Sequence, residues 1–255
     1  MLNRISPALF FLILITSISS VTKAQFYIIN DKDGFVNVRE SAGMGGNLIC
    51  QLNNGMVVRE SLKEDTAHSN WILVEFYVLK RNAAKIKTKA EDWKPEVMSD
   101  HALFSGYIYK DKLLGVEGNN PLERKETGNE LLLFNNSTRI KISRANFQKE
   151  KHKIQAQEMA AFKIDGRHFI GTDGEVPRVE IKAFTVEIAQ KKVNIPKTIF
   201  SDLYQPNFSG SDAYSDAKGN LYIIMYNSDA AGSYSVIFII DAQHRVTRYV
   251  FAGDC

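Results

Sequence analysis

The chain has 255 residues, 44% hydrophobic and 24% charged, with 32 Lys and Arg against 29 Asp and Glu for a net charge of +3. A balance this close to neutral gives no sustained electrostatic footprint for nucleic acid. The length allows one large or two small domains, each able to bury a core without a metal or disulfide staple.

Residues 1–24 read as a secretory signal peptide. Arg4 supplies the positive n-region, and Ala8 to Ile15 form the apolar core. That core falls short of the roughly 20 apolar residues a bilayer span needs. Thr22-Lys23-Ala24 offers small residues for cleavage, so Gln25 is expected to begin the mature chain. No cysteine follows the apolar core, which excludes a lipoprotein anchor, and no later segment is apolar enough to span a membrane. The expected location is therefore periplasmic or extracellular. The leader holds Arg4 and Lys23 and no acid, so 30 basic side chains then face 29 acidic ones, for a net +1.

Residues 25–115 form the first unit. Short β-rich runs occur at Phe26 to Ile29, Phe35 to Arg39, Leu48 to Leu52, Met56 to Glu60, Trp71 to Val78 and Tyr107 to Tyr109. Glycine and asparagine turns separate them, as in a barrel or sandwich. Alternation places Val36 and Val38 on one face and Asn37 and Arg39 on the other. Trp71 is expected in the core. Residues 79–105 are a long insertion before the last strand, holding a basic run from Lys80 to Lys87 and then Trp93. Connections longer than about 12–15 residues are usually functional or disordered. Residues 116–129, rich in Gly, Asn and charge, are expected as a linker.

Residues 130–255 form a second β-rich unit. Strands are expected at Leu131 to Phe134, Arg139 to Ile142, Ala161 to Ile164, Val179 to Ile188 and Lys192 to Ile195. The end reads as a meander: Leu221 to Tyr226, Ser233 to Ile240 and Val246 to Phe251, preceded by a turn at Asp216 to Asn220. The basic stretch Arg139 to Lys153 reads as a solvated strand and loop. The tyrosines of this unit, with Phe208, read mainly as core and strand packing.

In chain order, Asp33-Gly34-Phe35-Val36-Asn37-Val38-Arg39-Glu40, Leu52 to Val58, Asn70-Trp71-Ile72-Leu73-Val74 and Gly106 to Leu113 resemble the bacterial SH3 (SH3b) domain. This is a small β-barrel common on exported bacterial proteins. In that family the connection holding the insertion is usually a short turn. The resemblance implies a groove of aromatic and polar side chains, typically for cell-wall peptides. Carried over by position, the groove candidates are Asn37, Arg39, Tyr107 and Tyr109; Trp93 on the insertion is a further candidate, either tucked back onto the barrel or offered to a partner. A hydrogen bond from Arg39 to a loop carbonyl is an equal alternative for that residue.

Chemistry-bearing patterns are sparse. Asp31, Asp33, Gly34 and Glu40 partly match a calcium-loop frame, but its first ligand position is Ile29. Asp173-Gly174 with Glu180 fails in the same way at Phe169. The five histidines lack metal-ligand spacing. Gly43-Met44-Gly45-Gly46 lacks the Lys-Ser/Thr ending of a phosphate loop. No Gly-x-Ser-x-Gly elbow occurs. Cys50 reads as a core position and Cys255 as the terminal residue; whether they form a bridge is open. Asp202, Asp212, Asp216 and Asp229 read mainly as turn aspartates.

These observations lead to an exported, all-β protein: an SH3-like barrel with a long insertion plus a second β-rich domain, meander- or sandwich-like. The expected role is non-enzymatic, with no catalytic residue, metal or cofactor. The barrel docks onto peptidoglycan peptide or a protein partner of the cell envelope. One alternative is an inhibitor or immunity-type protein acting on a secreted hydrolase. Another is a cell-wall hydrolase with a carboxylate site in the second unit.

Overall fold

The computed structural model describes residues 25–61, 63, 70–92, 94–157, 161–228 and 230–253. The expected signal peptide, Trp93, Asp229 and Cys255 lie outside them. The fold is all-β, with antiparallel sheets that include a curled half-barrel.

Strands β1 (Phe26–Ile29), β2 (Phe35–Arg39), β3 (Leu48–Asn53), β4 (Val57–Glu60), β5 (Trp71–Leu79), β6 (His101–Tyr109) and β7 (Leu113–Gly115) make the first sheet. Their spatial order is β3-β2-β6-β5-β4-β1-β7. Its concave face holds Val36, Val38, Ile72, Val74, Phe76, Phe104 and Ile108, as the alternation requires. The last strand starts earlier than expected: His101 already pairs with Leu79, the last of nine residue pairs between β5 and β6. The insertion is correspondingly residues 80–100. It is folded onto the sheet rather than projecting: Ala83 and Ile86 pack on the barrel core, and Met98 is buried. Lys87 N–H donates to Ile49 O, and Glu91 N–H to Leu103 O.

The stretch expected as a linker enters two further sheets. Val116 is fully buried. Strand β8 (Asn120–Pro121) pairs with a late strand of the chain, and β9 (Glu123–Thr127) pairs with β10 (Glu130–Phe134). Strand β11 (Thr138–Asn146) follows, then a small sheet of β12 (Ile154–Gln157), β13 (Ala161–Ile164) and β14 (Arg167–His168). Strands β15 (Val179–Ile188) and β16 (Lys191–Val193) complete a sheet in the order β16-β15-β11-β10-β9. The terminal meander is β17 (Ser211–Ser215), β18 (Leu221–Asn227), β19 (Tyr234–Ile240) and β20 (Val246–Ala252), ordered β20-β19-β18-β17-β8.

The meander is the middle layer. Phe238 packs edge-on against Phe184 of β15, with ring centroids 5.0 Å apart. The other face, marked by Tyr226, Tyr249 and Phe251, meets the convex face of the half-barrel. Phe251 touches Phe26, and Tyr249 stacks on Tyr77 at an interplanar angle of 7°. Tyr77 also donates its hydroxyl to Val250 O at 2.6 Å. Phe26, Ile28, Val57, Tyr77 and Leu103 of the half-barrel therefore share one apolar core with the meander. Arg59 lies over the Phe251 ring, 4.5 Å from its centroid, and pairs with Glu75 at 2.5 Å; both are buried.

The aromatic residues of the second unit pack as expected, with Tyr204, Phe208, Tyr222 and Tyr234 buried. Asp216 is a turn residue: it accepts from the Lys218 and Asn220 N–H groups. Asp202 differs from the turn reading. It is buried, takes both terminal nitrogens of Arg248, and also pairs with Arg167 at 2.9 Å. This ties β20 to the segment before β17. Among the described residues, no helix is long and apolar enough to cross a membrane.

The shared core makes the two units one cooperative block. Urea denaturation followed by tryptophan fluorescence and far-UV circular dichroism should give coincident single transitions; two separated transitions would contradict the shared core. In the same assay Tyr77→Phe should cost about 1 kcal/mol for the lost hydrogen bond. Tyr77→Ala should cost about 3–5 kcal/mol, as for other large buried aromatics.

Candidate functional site

The groove candidates lie on the convex face of the half-barrel, at the end the meander leaves uncovered. Residues directly opposite one another in an antiparallel pair share a face. Arg39 sits opposite Leu48 of β3 and Tyr107 of β6. Tyr109, two residues on from Tyr107, sits opposite Trp71. Asn37, two residues before Arg39, sits opposite Gln51 and accepts a hydrogen bond from its Nε2 at 3.1 Å. The fold thus gathers Asn37, Arg39, Tyr107 and Tyr109 on one face. Trp93 is outside the described residues.

Two glycines shape this face. A Cβ on Gly106 would meet Val38 Cγ1 at 2.4 Å and Arg39 O at 3.1 Å. Only a residue without a side chain lets β6 close on β2 there, which brings Tyr107 against Arg39. At Gly46 a Cβ would meet Ser41 O at 2.6 Å, so the loop from Ser41 to Gly46 folds tightly on itself. Arg39 Nη1 donates to Gly46 O at 2.7 Å and braces that loop. The loop-carbonyl role of Arg39 is therefore present. It uses one of the five guanidinium donors.

Sequence reasoning missed two members of the face. Trp71 was expected in the core, but it is half-buried on the convex face and packs edge-on to Tyr109, centroids 5.6 Å apart. Its inward place is taken by Ile72. Leu48 is 38% exposed beside Arg39, and Met44 at the loop tip is 77% exposed. A bulge between Val38 and Arg39 shifts the register of β2 against β3, which turns Leu48 outward. The cue available in the sequence was the Gly-rich loop between these strands.

The face presents aromatic rings, one guanidinium, an amide pair and exposed apolar side chains. Cys50, beneath it on β3, is a buried free thiol whose pKa burial pushes up to about 12. It is a packing residue, not a thiolate nucleophile at neutral pH. Among the described residues, no group of three or more His, Cys, Asp and Glu side chains is arranged to hold a metal ion.

No protein-family model, no curated protein and no solved structure matches the chain.

Gly106→Ala should destabilise the protein by about 1–3 kcal/mol through overpacking against Val38. The measurement is the urea midpoint, with Gly45→Ala as the comparison, since a Cβ at Gly45 meets nothing within 4 Å. Equal midpoints for the two variants would show that β2 and β6 do not need the glycine.

Proposed function

We propose that the protein is a non-enzymatic binding or scaffold protein of the cell envelope. In this reading the half-barrel is an SH3b-like module that docks an extended peptidoglycan stem peptide on its convex face. The observation that carries the reading is the cross-strand row Leu48, Arg39, Tyr107, flanked by Tyr109 and Trp71. Aromatic and arginine side chains dominate the energetics of recognition surfaces. A planar guanidinium matches a carboxylate, which stem peptides carry. Among the described residues, the meander covers the Tyr77 end of the convex face and not this one.

The test is incubation of the purified protein with purified sacculi, measuring the pelleted fraction and soluble muropeptide release. Pelleting without release is the expected result. Tyr107→Ala and Arg39→Ala should each weaken binding about tenfold. Muropeptide release would instead make the protein a hydrolase. Neither pelleting nor release would remove the peptidoglycan ligand and leave a protein partner.

A further inference from the structure

A second pocket, of about 360 Å³, lies in the other unit, between the β13–β14 turn, β15 and the segment Lys197 to Ser201. Its volume falls within the range of small-ligand sites, about 300–1,000 Å³. The turn is Asp165-Gly166, both with positive φ (52° and 77°), the pattern of a tight hairpin turn. It aims the Asp165 carboxylate at His152 Nδ1, 2.8 Å away, and at the Lys153 N–H. His152 Nε2 lies 3.3 Å from Glu180, and Phe147 stacks on the imidazole at 4.5 Å. Hydrogen bonds from His152 and the Lys153 N–H, with Lys197 nearby, hold the Asp165 carboxyl below its usual range.

Each acid around this pocket lies within 3.3 Å of a nitrogen of His152, Arg167 or Arg248. Asp165 and Glu180 both face His152, and Asp202 takes Arg248 and Arg167. Two of the cations are not paired in this way. Lys182 and Lys197 are exposed and make no ion pair among the described residues. Arg167 shares its one carboxylate with Arg248, while its other bonds go to neutral oxygens of Ser201 and Thr198. Arg167, Arg248, Lys182 and Lys197 thus stand against three carboxylates, leaving positive charge even with His152 neutral. The pocket wall also includes Ile164 and Ile181, which are core residues.

We propose that this pocket binds a small organic carboxylate with a short aliphatic body. The carboxylate is held by Arg167, Lys182 and Lys197, and the aliphatic part rests on Ile164 and Ile181. The site is separate from the convex face of the half-barrel and does not depend on the function proposed for it.

The experiment is an amide-resolved NMR titration of the purified protein with isobutyrate, with isobutyramide and inorganic phosphate as comparison probes. Isobutyrate should give saturable shifts at Arg167, Ile181 and Lys182; neutral isobutyramide should not. Lys182→Ala/Lys197→Ala, which changes two exposed side chains, should raise the half-saturating concentration about tenfold. An unchanged value in that variant would overturn the proposal, as would no saturable shift or an equal response to isobutyramide. Saturation by phosphate without isobutyrate would overturn the carboxylate assignment.

Discussion

Strand β5 is buried on both faces, and the rest of the architecture follows from that. Ile72, Val74 and Phe76 fill the half-barrel, while Leu73, Glu75 and Tyr77 point the opposite way and are equally buried. A strand in an ordinary small barrel exposes its outer residues. Here the outer residues need a cover, and the meander supplies it through Tyr249 and Phe251. Strands buried on two sides read as near-continuous apolar runs. Trp71-Ile72-Leu73-Val74-Glu75-Phe76-Tyr77-Val78 is such a run, interrupted only by Glu75. Arg59, directly opposite Glu75 on β4, neutralises that interruption. A buried pair of this kind adds little net stability over an apolar replacement, but removing one partner costs about 3–5 kcal/mol. It thus disfavours a meander docked in another position, where Arg59 would lose the Phe251 ring.

The candidate groove is what this covering leaves over. The convex face is continuous from Tyr77 at one end of the β5–β6 hairpin to Trp71 and Tyr109 at the other. The meander takes the first end. Val97 and Met98 pack at that same end, while Ala83 and Ile86 lie on the inner core and Lys87 bonds Ile49 of β3. The remaining face is shaped by backbone geometry: Gly106 lets β2 approach, the bulge after Val38 turns Leu48 outward, and Arg39 holds the loop to Gly46.

Local patterns carried most of the strands. Val36 and Val38 alternate with Asn37 and Arg39, and β1, β2 and β15 lie where their apolar periodicity put them. The misses have physical causes. Strand β9 is Glu123-Arg124-Lys125-Glu126-Thr127, exposed along its whole length, so its composition reads as loop. Charge on an edge strand is a defence against edge-to-edge pairing, and nothing local distinguishes it from a linker. The size of Trp71 suggests a core place, but alternation along β5 gives that place to Ile72. The bulge that exposes Leu48 is a register event between two strands and leaves no mark in either one. The cluster of His152, Asp165 and Glu180 comes from three separated segments that no local pattern joins.

The shared core also settles how the convex face and the second-unit pocket relate. Two modules on a flexible linker sample many separations, so the second binding step gains only an effective concentration set by the linker. In this chain, residues 116–129 are built into two sheets and Val116 is in the core. Tyr77, Arg59 and Phe251 lock the units together from the other side. The distance and orientation between Tyr107 and Lys182 are therefore fixed by packing.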